Sequence, residues 1–92
     1  MHNVFRIGGK LNLVGDVLEE TRLLQNMSRE ELAQRVREYH IPMTRCAIYR
    51  IEKGERRISI YEFAALSKIL SLDYNQIDEL IQKRLCAIRN KE

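Results

Sequence analysis

The chain reads as an all-α domain of five helices joined by short turns, and three features of its sequence predict this. Apolar residues recur at three- and four-residue spacing in successive windows. Capping signals stand at the head of those windows: Ser28 and Ser59 each precede a glutamate by three positions, and Thr44 and Asp73 open further periodic runs. No stretch alternates apolar and polar residues for long enough to build a sheet.

With 92 residues there is room for one small domain and one modest core. Apolar residues make up 45% and charged residues 32%, the balance of a globular chain and not of a disordered one. The apolar runs are only a few residues long, so no membrane span is expected, and the start MHNVFRIGGK lacks the apolar centre of a signal peptide. A cytoplasmic protein is expected, and there Cys46 and Cys86 stay reduced. Neither these cysteines nor His2 and His40 fall at a metal-ligand spacing, so no metal, disulfide or cofactor is expected. No nucleophile, base and orienting group can be assembled, which argues against an enzyme.

At the N-terminus, Val4, Phe5 and Ile7 followed by Gly8 and Gly9 predict a short extended arm and a flexible joint. A first helix is expected from about Leu13, with Leu13, Val17, Leu18, Thr21 and Leu24 near one face and Asp16, Glu19 and Glu20 near its positive end. Asn26 is placed to stop it in the left-handed conformation. Ser28 and Glu31 form a capping box for a second helix, with Met27 and Leu32 as its hydrophobic staple and Leu32, Ala33, Val36 and Tyr39 as its buried stripe. That helix must end near His40, because Pro42 pushes Ile41 out of helical geometry. Thr44 caps a third helix. Ser59 and Glu62 form a second capping box, opening a fourth helix with Ile60, Phe63, Ala64, Leu66, Ile69 and Leu70 as core candidates. Asp73 opens a fifth that runs to about Arg89, with Tyr74, Ile77, Leu80, Ile81, Leu85 and Ile88 on one broad face.

Charge is unevenly spread along these elements. Residues 29–57 carry eight Lys/Arg against five Asp/Glu, residues 58–81 one against four, and residues 82–92 four against one. Basic charge thus gathers around the third helix and at the C-terminus, a layout that suits a polyanionic partner.

Within the third helix the faces are distinct. At 100° per residue Thr44, Ala47, Ile48, Ile51 and Glu52 point to one side, and Cys46, Tyr49, Arg50 and Lys53 to the other. Gly54 supplies the left-handed stop, and Arg56 and Arg57 follow in the loop. Two helices joined by a turn, the second with a polar outer face bearing arginine, form a helix-turn-helix, a device for reading the DNA major groove.

The detailed string agrees. L-x-E-T-R-x-x-x-N-M-S-R-E-E-L-A from Leu18 to Ala33, I-Y-R-I-E-K-G-E-R-R-I-S from Ile48 to Ser59, and the later L-S-K-I-L-S-L resemble the lambda-repressor/Cro-like, or Xre, helix-turn-helix family over about residues 12–82. The resemblance implies a five-helix bundle and a DNA-binding transcriptional regulator, usually dimeric. It implies base contacts from Arg45, Cys46, Tyr49 and Arg50: guanine O6 and N7 for the arginines, and a thymine methyl for Cys46 or the Tyr49 ring. It implies phosphate contacts from Ser28, Arg29, Thr44, Lys53, Arg56 and Arg57, and a structural ion pair between Arg22 and Glu52. Three departures stand out: the turn from Val36 to Thr44 is about five residues longer than usual, Pro42 replaces the glycine before the third helix, and Val17 holds a position that is often basic.

The chain is therefore expected to divide into an arm at 1–11, a DNA-binding domain at 12–82 and a basic continuation at 83–92. Leu85 and Ile88 there are candidates for a dimer seam or for covering the arm. The function expected is a sequence-specific regulator of transcription, a homodimeric repressor bound to double-stranded DNA, with no ligand-binding domain. The alternatives are an antitoxin that also grips a toxin, or a helix-turn-helix reused as a protein-interaction module.

Overall fold

A computed structural model describes residues 6–90. Among them are five helices and no strand: α1 (Gly15–Leu24), α2 (Arg29–Arg37), α3 (Arg45–Glu52), α4 (Ile60–Leu70) and α5 (Tyr74–Arg89). The expected arm residues Val4 and Phe5 lie outside the described residues.

α2 to α5 each begin where a side chain caps the first amides. The Ser28 hydroxyl accepts from the Glu31 amide at 3.0 Å, but the Glu31 carboxylate turns outward to Arg35 at 3.1 Å, so only half of the expected box forms. Thr44 Oγ1 accepts from Ala47 N at 3.0 Å, and the Ser59–Glu62 box is complete. Asp73 Oδ1 accepts from Asn75 and Gln76. α1 starts two residues later than the expected Leu13. Val14 holds its N-cap position and offers no side-chain cap; Asn12 Oδ1 instead accepts from the amides of Val14 (2.9 Å) and Gly15 (2.7 Å), leaving Leu13 in the turn before the helix. Asn26 and Gly54 take the expected left-handed conformation, at φ 54° and 74°. Past Gly54, Glu55 N donates to Arg50 O and Gly54 N to Ile51 O, the paired bonds of a Schellman stop.

The core is built from Val14, Leu18, Met27, Leu32, Ala33, Val36, Met43, Ile48, Ile51, Leu66, Leu70 and Ile77. α2 packs on α3 and α4, and α1 on the same two helices. Among the residues expected on buried faces, Leu24 at the end of α1, Tyr39 after α2, Ile60 and Ala64 in α4, and Leu85 in α5 are exposed instead. Leu24 and Ile60 stand at helix ends, where neighbouring helices no longer cover them. The backbone bonds after Arg37 tighten to three-residue spacing as the chain turns through His40 at φ 60°, which carries Tyr39 off the buried stripe. Ala64 is exposed with Ile60 four residues earlier, and Ala65 is buried in its place. Tyr74 is also exposed, although its ring meets Phe63 edge-on at 5.9 Å.

Gly8 and Gly9 form the centre of a turn. Both have positive φ, and Ile7 and Lys10 exchange backbone hydrogen bonds across them at 2.7 and 3.1 Å. The segment is then tied to the end of α3, where Leu11 N donates to Gly54 O and Asn12 Nδ2 to the carbonyls of Ile51 and Arg56. On the other side, Arg84 of α5 reaches Leu13 O at 2.6 Å and both oxygens of Asp16. Its hydrogen bonds hold the Asp16 carboxyl below its usual pKa.

Gly15 lies where α1 meets the last turn of α3 almost backbone to backbone. A Cβ placed there would lie 2.1 Å from Ile51 O. Gly15→Ala is therefore expected to lower stability by about 1–3 kcal/mol through forced separation of the two helices, measured by urea denaturation. A variant as stable as the parent would show that this contact yields without cost.

Candidate nucleic-acid interface

α3 is anchored from within and open from without. Ile48 and Ile51 are buried in the core, whereas Arg45, Cys46, Tyr49 and Arg50 are exposed along the opposite face. Eight residues at 1.5 Å each give a rod of about 12 Å, which fits across a major groove of about that width.

The roll of this helix is set by one ionic cluster. Arg22 from α1 places Nε 2.6 Å from Glu52 Oε2 and Nη2 3.3 Å from Oε1, while its Nη1 donates to Met27 O at 2.8 Å. The Glu52 side chain is only 1% exposed. A carboxylate taken so far from water requires partners on both oxygens. The second partner of Oε1 is Arg29 of α2, whose Nε lies at 2.8 Å. Arg29 Nη2 also donates to Glu19 of α1 at 3.1 Å. Glu52 holds the Arg29 guanidinium still more firmly protonated than usual.

Other residues expected on DNA phosphate are also occupied within the protein. Lys53 Nζ lies 3.5 Å from Glu19, and Arg56 grips both oxygens of Glu62 at 3.0 Å. That grip holds the Glu62 carboxyl below its ordinary pKa. The Ser28 and Thr44 hydroxyls cap their helices from exposed positions. Among the described residues, Arg45, Arg50 and Arg57 have no ion-pair partner. They are close neighbours: Arg45 and Arg50 line one groove with Ser28, Arg29, Cys46 and Tyr49, and Arg50 and Arg57 line the next with Arg56 and Glu55. Arg50 thus stands between two concave faces, with uncompensated cations on both.

Sequence reasoning overlooked Glu19 and Asn12. Glu19 read only as an acidic residue near a helix start, yet it gathers Arg29 and Lys53 beside the outer face of α3. Asparagine two and three residues before the amides of Val14 and Gly15 is the sign by which the Asn12 turn could be found.

A capped helix, a turn and a second helix whose outer face carries unpaired arginines define the class: a DNA-binding helix-turn-helix domain. A helix-turn-helix family model matches residues 18–77. The chain belongs to the Xre/lambda-repressor-like helix-turn-helix family, a family of DNA-binding regulators. No curated protein and no solved structure gave a significant match. No described helix is long and apolar enough to cross a membrane.

Replacing the buried acid breaks the cluster at its centre. Glu52→Gln leaves the Arg22 guanidinium without its counter-charge, and a loss of about 3–5 kcal/mol is expected in chemical denaturation. If the variant lost less than about 1 kcal/mol, the pair would not govern how α3 is seated.

Proposed function

We propose that the protein is a sequence-specific, double-stranded DNA-binding regulator of transcription, acting as a homodimeric repressor. α3 enters the major groove. The observation that carries this reading is the outward face of α3, where Arg45 and Arg50 have no carboxylate partner among the described residues while the opposite face of the same helix is locked into the core. Arginine in that position suits bidentate contact with guanine, and Cys46 and the Tyr49 ring offer apolar edges to a thymine methyl. Arg57, with the hydroxyls of Ser28 and Thr44, is assigned to backbone phosphate, which positions the helix without reading sequence. Lys53 and Arg56, already compensated by Glu19 and Glu62, contribute less there. An interaction module for protein would not require unpaired arginines on the groove-sized face.

Selection from a random duplex library, followed by affinity measurements across a salt series, tests the reading. A motif is expected, bound at least about a thousandfold more tightly than scrambled DNA, and Arg45→Ala or Arg50→Ala should cost about 1–3 kcal/mol and relax preference at single base pairs. Binding that shows no motif and vanishes at moderate salt would refute it.

The dimer is assigned to α5. Ile88 is half-buried against the N-terminal turn, where a Cβ on Gly8 would meet its side chain at 2.9 Å. Leu85, 39% exposed, is left to face outward from the same helix. Sedimentation should give a dimer for the parent at micromolar concentration and a monomer for Leu85→Glu; a monomeric parent would exclude this seam. A dimer predicts paired half-sites about 10 bp apart.

A further inference from the structure

Tyr49 is the one aromatic ring on the outward face of α3, and two cations lie over it. The Arg29 guanidinium carbon is 5.0 Å from the ring centroid and Lys53 Nζ is 5.6 Å from it, both within cation–π range. Two cations so near each other repel, yet Glu19 Oε2 lies between them, 3.1 Å from Arg29 Nη2 and 3.5 Å from Lys53 Nζ. Arg29 is fixed at its other edge by Glu52, which Arg22 holds in turn. An unbroken series of contacts thus runs from the buried centre of the domain through Arg29 to the ring. For Arg29 to swing onto a DNA phosphate, Glu52 would lose a partner while 1% exposed, and Glu19 would be left with Lys53 alone. Arg29 is better matched to holding than to reaching.

We infer that Arg29 is a positioning residue which, with Glu19 and Lys53, fixes the Tyr49 ring on the reading face, making Tyr49 a determinant of base preference. The inference rests on the DNA-binding function proposed above. Tyr49 is 45% exposed, so neighbouring side chains do not confine the ring by burial. The ring then meets the groove in one orientation, its ordering cost met within the protein before DNA arrives. Arg29 adds no phosphate contact of its own, because its charge is already matched by two carboxylates.

A double-mutant cycle on the full chain distinguishes positioning from phosphate binding. Arg29→Ala, Tyr49→Ala and the double variant are measured against the selected duplex and its single-base-pair variants over a salt series. Arg29→Ala is expected to weaken discrimination about twofold to fivefold at the base pair that Tyr49→Ala also affects. It should have no further effect in the Tyr49→Ala background, and the slope of log affinity against log salt should stay at the parental value. A slope shallower by about 0.9, with equal loss on every duplex, would make Arg29 a phosphate contact and overturn the inference. Additive effects on discrimination, or parental discrimination in Tyr49→Ala, would overturn it as well.

Should Arg29→Ala fail to fold, Glu19→Gln tests the same point with both arginines still on Glu52. It should weaken discrimination at the Tyr49 base pair and raise affinity for scrambled DNA more than Glu20→Gln, an equal change of charge at an exposed neighbour on α1. Identical behaviour of those two variants would overturn the proposal. A parent that prefers no duplex would refute the DNA-binding reading and this inference together; a specific parent with additive variants would refute only the inference.

Discussion

The seating of α3 depends on a single buried carboxylate. Glu52 lies near the end of that helix, almost fully removed from water, and arginines from two other helices converge on it. Such pairs seldom add much net stability, because desolvation offsets most of the Coulombic gain. Their effect is on geometry, since few arrangements of α1, α2 and α3 give the carboxylate both of its partners. The third arm of Arg22, on Met27 O, extends the same constraint to the corner between α1 and α2. Gly15 completes it by letting α1 approach the last carbonyls of α3. With the inner face fixed this way, Arg45, Cys46, Tyr49 and Arg50 have no direction left but outward.

Much of this was legible in the sequence because capping is local. Ser28, Thr44, Ser59 and Asp73 all head their helices, as a hydroxyl or carboxylate next to a periodic run implies. The Gly54 stop was legible for the same reason. Periodicity puts Leu24, Ile60 and Ala64 on buried faces because it describes a helix and does not say where the neighbouring helices stop covering it, and it carries the stripe of α2 on to Tyr39, past the point where the chain leaves the helix. The long-range partners of Asn12 and Glu19 were invisible, since nothing near Asn12 in sequence signals the carbonyls of Ile51 and Arg56. The resemblance to a family placed Arg22 with Glu52, but it assigned Arg29 to phosphate without sign of the two carboxylates that meet it.

Charge counting overstates the unpaired basic charge of residues 29–57. Of the eight basic residues between 29 and 57, Arg29, Arg35, Arg37, Lys53 and Arg56 lie against carboxylates. Arg45, Arg50 and Arg57 carry the remaining field, and they cluster at the outer face of α3 and the loop beyond it. Their concentration in one place, and not the formal net charge of +3, gives the domain a side on which a polyanion is favoured. Carboxylates elsewhere are spent on architecture: Glu62 steadies the loop carrying Arg56, and Asp16 holds α5 through Arg84.

Backbone amide chemical-shift mapping, while a short duplex carrying the selected site is added, tests most directly whether the outer face of α3 meets DNA. Shifts are expected to concentrate at residues 44–57 and at the start of α2, with the Arg22 side-chain N–H signals retained as evidence that the Glu52 cluster stays closed. Shifts confined to α4 and α5, with the outer face of α3 unmoved, would contradict that contact.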